Sequence, residues 1–492
     1  MVTESEVVHP TRAPIGTVVL INPPMTPERV YGDFSDWGGV SPPTGLCYIA
    51  AVLREHGYRV AIIDAEAQRL DDQATIGRCL TLSPDLVGIA CKTLWVVSAH
   101  RIAAGLKGLQ PQLPIVAGGN HPSAIPQRTL AEFPCFDYVV RGEGELTLLE
   151  LIRALDEGAD LGAVKGVSLR LADGSIQCAP DRERITDLDT LPLPAFDLLP
   201  ELKTHYMPPL NTIERLPAFS IVASRGCPAH CAFCDKCVFE SRVTRHSPEY
   251  ILRLIRSLYH DYGMRYLLFD DDNLLLNKNH LFQLLDLLEG SGMDLRFTCQ
   301  SRVDTISEEK LVRLERAGCR QILYGVESGS QKVLDAMRKG ITVRQVEDAV
   351  RMTKRAGIAV FAFFIHGFPG ETRETLEETL ALIRRCDFDD IGVFPFTPIP
   401  GSAVYPVVAE FGDFTEDWER MNAMDEIVFV PRGLDAKTLA EYTEKAYQAC
   451  YLKWRQLLRM PLKIHTRRHA QAYWSGFRKI FIGADNSRQV TA

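Results

Sequence analysis

The sequence predicts an α/β protein built on two separate parallel sheets and finished by a mostly helical tail. Short apolar runs alternate with helical patterns through residues 1–150, and the alternation starts again at residue 219 with a different cadence. The second series also carries the chemistry. Cys227, Cys231 and Cys234 form a Cys-x3-Cys-x2-Cys loop directly after its first apolar run.

A chain of 492 residues has room for three domains at roughly 150 residues each. With 46% hydrophobic and 24% charged residues it can bury more than one core. A net charge of −8 without a long basic tract offers nucleic acid no landing surface. Thirteen scattered cysteines, an odd number, do not read as a secreted disulfide framework and point to a reducing cytoplasm. Residues 1–14 hold acidic side chains and no apolar stretch, so they do not read as a signal peptide. No apolar run approaches the ~18 residues of a membrane span.

In the first unit an apolar strand at 17–21 ends in Asn22-Pro23-Pro24. Pro43 opens a helical pattern (Leu46, Ile49, Ala50, Leu53) that Gly57 closes, proline first and glycine last. Further strands at 60–63, 85–90, 114–117 and 137–140 complete a Rossmann-like sheet. They end in Asp64-Ala65, Lys92-Thr93, Gly118-Gly119-Asn120-His121 and Gly142-Glu143-Gly144-Glu145. Ligands of open α/β sheets bind beyond the carboxyl ends of the strands, so these loops mark one ligand-binding edge. Any one glycine pair alone would read equally well as turn chemistry.

Residues 151–218 read as a connector: a small hairpin with an Asp-Gly turn at 169–176, then prolines from Pro192 to Pro217 that break any long element. From 219 to 404, strands at 219–223, 266–269, 296–299, 321–326, 359–364 and 391–394 alternate with helices. Ser247 and Pro248 open one helix, and Gly318 and Gly357 close others. Six such repeats predict a partial (β/α)6 barrel, whose chemistry belongs at the carboxyl strand ends. The cysteine loop and the run Asp270-Asp271-Asp272 both fall there. Residues 405–492 read as a helical region. Its aromatic stripe (Tyr442, Tyr447, Tyr451, Trp454) lies near Lys453, Arg455, Arg459, Lys463, Arg467 and Arg468. It reads as a solvated helix face or as a surface meeting a membrane or lipid-like substrate. Residues 486–492 read as a frayed end.

Three thiolates on one loop can hold three irons of a [4Fe–4S] cube and leave the fourth open to a substrate. The competing reading is a zinc site with Cys237 as fourth ligand. The triad, with Phe233 before its last member, resembles the signature of the radical S-adenosylmethionine superfamily. The preceding series Asn22-Pro23-Pro24, Pro42-Pro43-Thr44-Gly45-Leu46, Gly118-Gly119-Asn120-His121 and Gly142-Glu143-Gly144-Glu145 resembles the cobalamin-binding domain of the cobalamin-dependent radical enzymes. That family includes class B radical C-methylases and the anaerobic magnesium-protoporphyrin monomethyl ester cyclases. The Asp-x-His-x-x-Gly motif of many cobalamin proteins is absent, and His121 reads as facing the corrin or as an ordinary loop hydrogen bond.

The resemblance implies three cofactors: a [4Fe–4S] cluster, S-adenosylmethionine and cobalamin. It places S-adenosylmethionine against Phe233, Asp270, Asp271, Ser301, Arg302, Glu327, Gly367, Phe368 and Pro398. Phe233 could equally serve core packing, and Glu327 an ion pair. Cobalamin falls to Asn22, Pro23, Thr44, Gly45, Leu46, Lys92, Thr93 and the two glycine loops. The implied activity is reductive cleavage to a 5′-deoxyadenosyl radical, hydrogen abstraction and methyl transfer to an unactivated carbon. An oxidative cyclase is the alternative, and an iron–sulfur sensor or corrinoid-binding module a third. The substrate would be a small molecule, lipid-like or tetrapyrrole-like, with a flavodoxin or ferredoxin as electron donor.

Overall fold

The computed structural model describes residues 14–422, 426–459, 464 and 470–476. The first sheet opens with five parallel strands, β1 (Thr17–Asn22), β2 (Arg59–Asp64), β3 (Leu86–Ala90), β4 (Ile115–Gly118) and β5 (Tyr138–Val140). Strand β1 is buried throughout because both of its faces are covered. Val18 and Leu20 pack toward helix Thr44–Glu55, and Val19 and Ile21 toward helix Val96–Leu109. The strand order begins β2-β1-β3, so the direction of winding reverses between β1 and β3. Their carboxyl ends, Asn22 and the Lys92 loop, therefore flank the crevice where such sheets bind ligands.

The hairpin expected in the connector belongs to this sheet. Strands β6 (Val167–Arg170) and β7 (Ile176–Cys178) add antiparallel to β5, so the expected boundary at residue 150 falls inside one continuous sheet. Strand β5 would otherwise leave an unpaired edge.

The second sheet starts at β8 (Ala218–Ile221). The next two strands, β9 (Ser224–Arg225) and β10 (Thr244–Arg245), pair antiparallel and close the base of the cysteine loop. The remaining barrel strands are β11 (Tyr266–Phe269), β12 (Arg296–Ser301), β13 (Cys319–Glu327), β14 (Ala359–His366) and β15 (Asp390–Pro395). They continue from β8 in sequence order, all parallel, as the expected half-barrel. A separate ladder of β16 (Gly412–Phe414) and β17 (Phe429–Pro431) follows.

Helix Ala436–Tyr451 buries Leu439, Tyr442, Ala446, Tyr447 and Cys450 against β15 and helix Arg373–Arg385. The aromatic stripe thus covers the last barrel strand, which overturns its reading as a solvated face. Lys453 donates to the Ile383 and Cys386 carbonyls, and Arg459 pairs with Asp387 at 3.0 Å. Leu452, Trp454, Leu457 and Leu458 stay exposed. Lys463, Arg467, Arg468, residues 1–13 and the 486–492 end lie outside the described residues. No described helix is long and apolar enough to cross a membrane.

His246 joins the two sheets. Its Nδ1 donates to the Asp189 carboxylate at 3.1 Å, which leaves Nε2 to accept from the Tyr48 hydroxyl at 3.2 Å. The ring stacks on Tyr250 at 3.9 Å. Burial pushes its pKa down to about 4, against the pull of Asp189. A folded value below the unfolded ~6.5 means full stability above pH ~6.5 and loss as pH falls toward the folded value. Urea denaturation should show stability falling between about pH 6.5 and 4, with His246 contributing on the order of 3 kcal/mol. His246→Gln should flatten that slope.

Candidate functional site

The cysteine loop is delivered by a strand anchored on both sides. The Ala223 amide and Ser224 hydroxyl donate to the Asp271 carboxylate at 3.1 and 2.5 Å. Asp271 is fully buried, and burial pushes its pKa up to about 7 against these hydrogen bonds. Expected at the cofactor, Asp271 instead positions the strand behind it. Arg225 donates to Glu143 at 2.7 Å and to Glu145 at 2.6 Å, and all three side chains are buried. Glu143 also accepts from the Ile185 amide at 2.8 Å. These two carboxylates, expected on cobalamin, clamp the cluster strand to the first sheet. Gly226 follows with φ +88°, and a Cβ there would lie 2.2 Å from the Arg242 carbonyl.

Within the loop, Lys236 donates to the Cys227 and Ala229 carbonyls at 2.8 and 2.6 Å. The Cys237 thiol donates to the Asn120 carbonyl at 3.2 Å, which turns it to the first sheet and away from a fourth-ligand role. Among the described residues no group of three or more His, Cys, Asp or Glu is placed to hold a single metal ion. Cys227, Cys231 and Cys234 instead border one cavity of about 430 Å³, as ligands to separate corners of a cluster would. This arrangement fits a [4Fe–4S] cube and does not fit zinc.

Phe233, Ser301, Arg302 and Glu327 line the same cavity. Arg302 is braced by Asp304 at 2.8 Å and by the Lys339 carbonyl at 2.8 Å, and its Nη1 lies 3.8 Å from the Cys231 sulfur. Glu327 is paired with Lys339 at 2.6 Å, both buried. Its φ of +66° falls where β13 slips register against β14, a strained backbone for a non-glycine residue. A hydrogen bond from Cys234, then the Lys339 and Arg302 charges, pull the Cys231 thiol down to about 6 against its burial. The same hydrogen bond and burial push Cys234 up, so the two side chains share one proton and Cys231 is the thiolate, the form that binds iron. Ser301 donates to Asn273 at 3.1 Å. Lys339 and Lys236 also line this cavity and were missed in the sequence, while Asp272 of the acidic run and Asn120, expected on cobalamin, line it too.

Other expected contacts lie elsewhere. Phe368 is buried behind Phe233, edge-on at 6.5 Å, and packs on Phe396. The Gly367 amide donates to Glu371, so this loop supports Phe233 from behind. Pro398 is buried and does not line the cavity. Asp270 faces a second cavity of about 360 Å³, which shares Gln300, Leu323 and Phe363 with the first.

At the edge of the first sheet, Gly119 has φ +114°, and a Cβ would lie 2.8 Å from the Cys91 carbonyl. Gly142 also has positive φ, and Gly45 faces open space at the first turn of its helix beside Thr44. Lys92 lies over the Trp95 ring at 4.8 Å. His121 is fully buried, 3.3 Å from the Thr93 hydroxyl and edge-on to Trp418 at 4.9 Å. Burial pushes its pKa down to about 4, and its Nε2 has no partner among the described residues. An orphaned nitrogen beside glycines that leave the backbone open fits a bulky ligand such as cobalamin. Gly118 ends β4 beside them. Asn22 is committed to Asp64 at 2.9 Å, and Pro23 and Leu46 are buried in the core. A Cβ on Gly144 would meet Ile49 at 2.9 Å, so that glycine serves helix packing. These four make supporting contacts within the fold at that edge.

Residues 221–383 match the radical SAM superfamily, and residues 34–152 match the B12 binding domain. The chain is 32% identical over 424 residues to an uncharacterized methyltransferase of Pyrococcus horikoshii, covering 86% of this chain and 90% of that protein. The chain belongs to the cobalamin-dependent radical S-adenosylmethionine family. This radical enzyme is also 29% identical over 456 residues to the anaerobic magnesium-protoporphyrin IX monomethyl ester cyclase of Rubrivivax gelatinosus, covering 91% of this chain and 80% of that one. Its fold matches the radical S-adenosylmethionine methyltransferase TsrM from Kitasatospora setae with a TM-score of 0.65 at 20% identity, over 87% of this chain and 81% of that one. The enzyme's cofactors are a [4Fe–4S] cluster, S-adenosylmethionine and cobalamin.

Arg225→Ala should cost about 3–5 kcal/mol in denaturant unfolding, because it strands two buried carboxylates. Adding Glu143→Gln and Glu145→Gln should recover part of that loss.

Proposed function

We propose that this enzyme is a radical C-methyltransferase in which Cys227, Cys231 and Cys234 hold the cluster. The observation that carries this is one cavity bordered by all three cysteines, by Arg302 and Glu327, and by Asn120 from the cobalamin edge. When bound, the three cofactors supply a 5′-deoxyadenosyl radical, hydrogen abstraction from an unactivated carbon, and a methyl group for that carbon.

The chain's own residues bind and orient. The Arg302 fork, already braced by Asp304, offers the S-adenosylmethionine carboxylate its Nη1 donor beside Cys231. Lys339 holds Glu327 at the strand end, where its carboxylate meets the ribose or the sulfonium. Phe233 packs against the adenine with Phe368 as backing. The Ser301 hydroxyl accepts from the ribose. Lys92, Gly119, Asn120, His121 and Gly142 form the cobalamin-facing edge, and the two ligand edges meet at Asn120.

The P. horikoshii relative supports methyl transfer, and the R. gelatinosus relative supports oxidative ring formation as the second reading. Thirteen cysteines, an odd and scattered set, support a reducing cytoplasm, with flavodoxin or ferredoxin as donor. Exposed Leu452, Trp454, Leu457 and Leu458 support peripheral contact with a membrane surface.

Anaerobic turnover with methyl-labelled S-adenosylmethionine should give a product that carries the label. An oxidised or cyclised product without label would select the cyclase reading. Cys231→Ala should reduce 5′-deoxyadenosine formation to background and leave cobalamin binding, followed by its visible absorption, within about twofold of wild type.

A further inference from the structure

The second cavity carries information about the substrate. Its barrel wall is Leu268, Leu323, Phe361, Phe363 and Phe394, with Phe361 and Phe363 two residues apart on one face of β14. Gly392 keeps the hollow open: a Cβ there would lie 2.9 Å from the Phe394 ring and 3.2 Å from Phe363. Tyr31 and Trp37 from the segment after β1 and Tyr447 and Tyr451 from the C-terminal helix form the other walls.

Three of the four lining tyrosines, Tyr31, Tyr447 and Tyr451, spend their hydroxyls on partners outside the cavity lining. Tyr31 donates to the Gly39 carbonyl at 2.8 Å, Tyr451 donates to Asp390 at 3.2 Å, and the Tyr447 hydroxyl accepts from the Val393 amide at 3.3 Å. Their ring faces are what the hollow receives. Among the described lining residues none is Lys, Arg or His, and Asp270 is the only charged side chain. It accepts from Gln300 through one oxygen and is exposed where it opens onto the cavity. Gln300 also lines the cluster cavity, so the carboxylate sits at the end where a radical would arrive.

A carboxylate among aromatic rings attracts a cation or hydrogen-bond donor and repels an anion. An anionic substrate would meet no basic residue in this lining to replace its hydration. We infer that the substrate is an apolar, ring-bearing molecule, uncharged or cationic, that presents an N–H, O–H or ammonium donor to Asp270 beside the carbon it modifies. Phosphorylated and carboxylate-bearing molecules are disfavoured. The assignment of the reacting end rests on the radical methylation reading above.

Two probes with one ring framework test this: neutral N-phenyl-1-naphthylamine and its anionic analogue 8-anilino-1-naphthalenesulfonate. Equilibrium dialysis against the holoenzyme should show the neutral probe binding on the order of tenfold tighter. Asp270→Asn should bring the two within about threefold of one another. Gly392→Leu should abolish binding of the neutral probe. Equal binding of the probes, no effect of Asp270→Asn, or full retention in a folded Gly392→Leu would overturn the inference. Where Gly392→Leu does not fold, the near-isosteric Asp270→Asn decides alone. Formation of 5′-deoxyadenosine is measured on the same preparations. Its absence with probe selectivity intact would sink the methylation reading and leave the character of the cavity standing.

Discussion

Arg225, held between Glu143 and Glu145, is the constraint on which the geometry of the site depends. A guanidinium and two carboxylates this deeply buried are tolerable only together, since each alone would be an uncompensated charge. The glutamates follow the last parallel strand of the first sheet, and the arginine precedes the cluster cysteines by two residues. Pairing them fixes the cluster loop to the cobalamin-binding sheet. The Cys237–Asn120 hydrogen bond repeats that attachment, and Asp271 under Ser224 ties the loop to its own barrel. The arginine clamp and the Cys237–Asn120 bond together hold the carboxyl edges of the two parallel sheets against each other.

The two cavities that meet there differ in character. The cluster cavity is rich in paired charge, with Arg302, Lys339, Glu327 and Lys236 around the thiols. It suits anionic sulfur and a zwitterionic, sulfonium-bearing cofactor. The second is aromatic with one carboxylate. Gln300, Leu323 and Phe363 line both, so the two cavities share one wall.

Most of this fold was legible in the sequence, because parallel strands covered on both faces are short apolar runs that end in conspicuous loops. The cysteine triad was legible for the same local reason. What escaped was long-range. Nothing local pairs Glu143 and Glu145 with an arginine some 80 positions away, and their place in a glycine-rich loop suggested a ligand instead. Lys339 lies in an ordinary basic stretch twelve residues after its partner Glu327. The aromatic tail looked like a solvated face because its partner, β15, is a strand of the barrel. The acidic run held one unused signal. Side chains alternate along extended chain, so Asp270 and Asp272 should face the ligands and Asp271 the opposite side, as they do.

The central claim is that one rigid frame presents a cluster and cobalamin to each other across a shared cavity. The reduced cluster and cob(II)alamin are both paramagnetic, so pulsed electron paramagnetic resonance of the doubly loaded enzyme reads their coupling directly. The account predicts a dipolar interaction between the two spins that weakens or broadens when Arg225 is replaced by alanine. Two independent signals in the intact protein, each with the relaxation of an isolated centre, would contradict it.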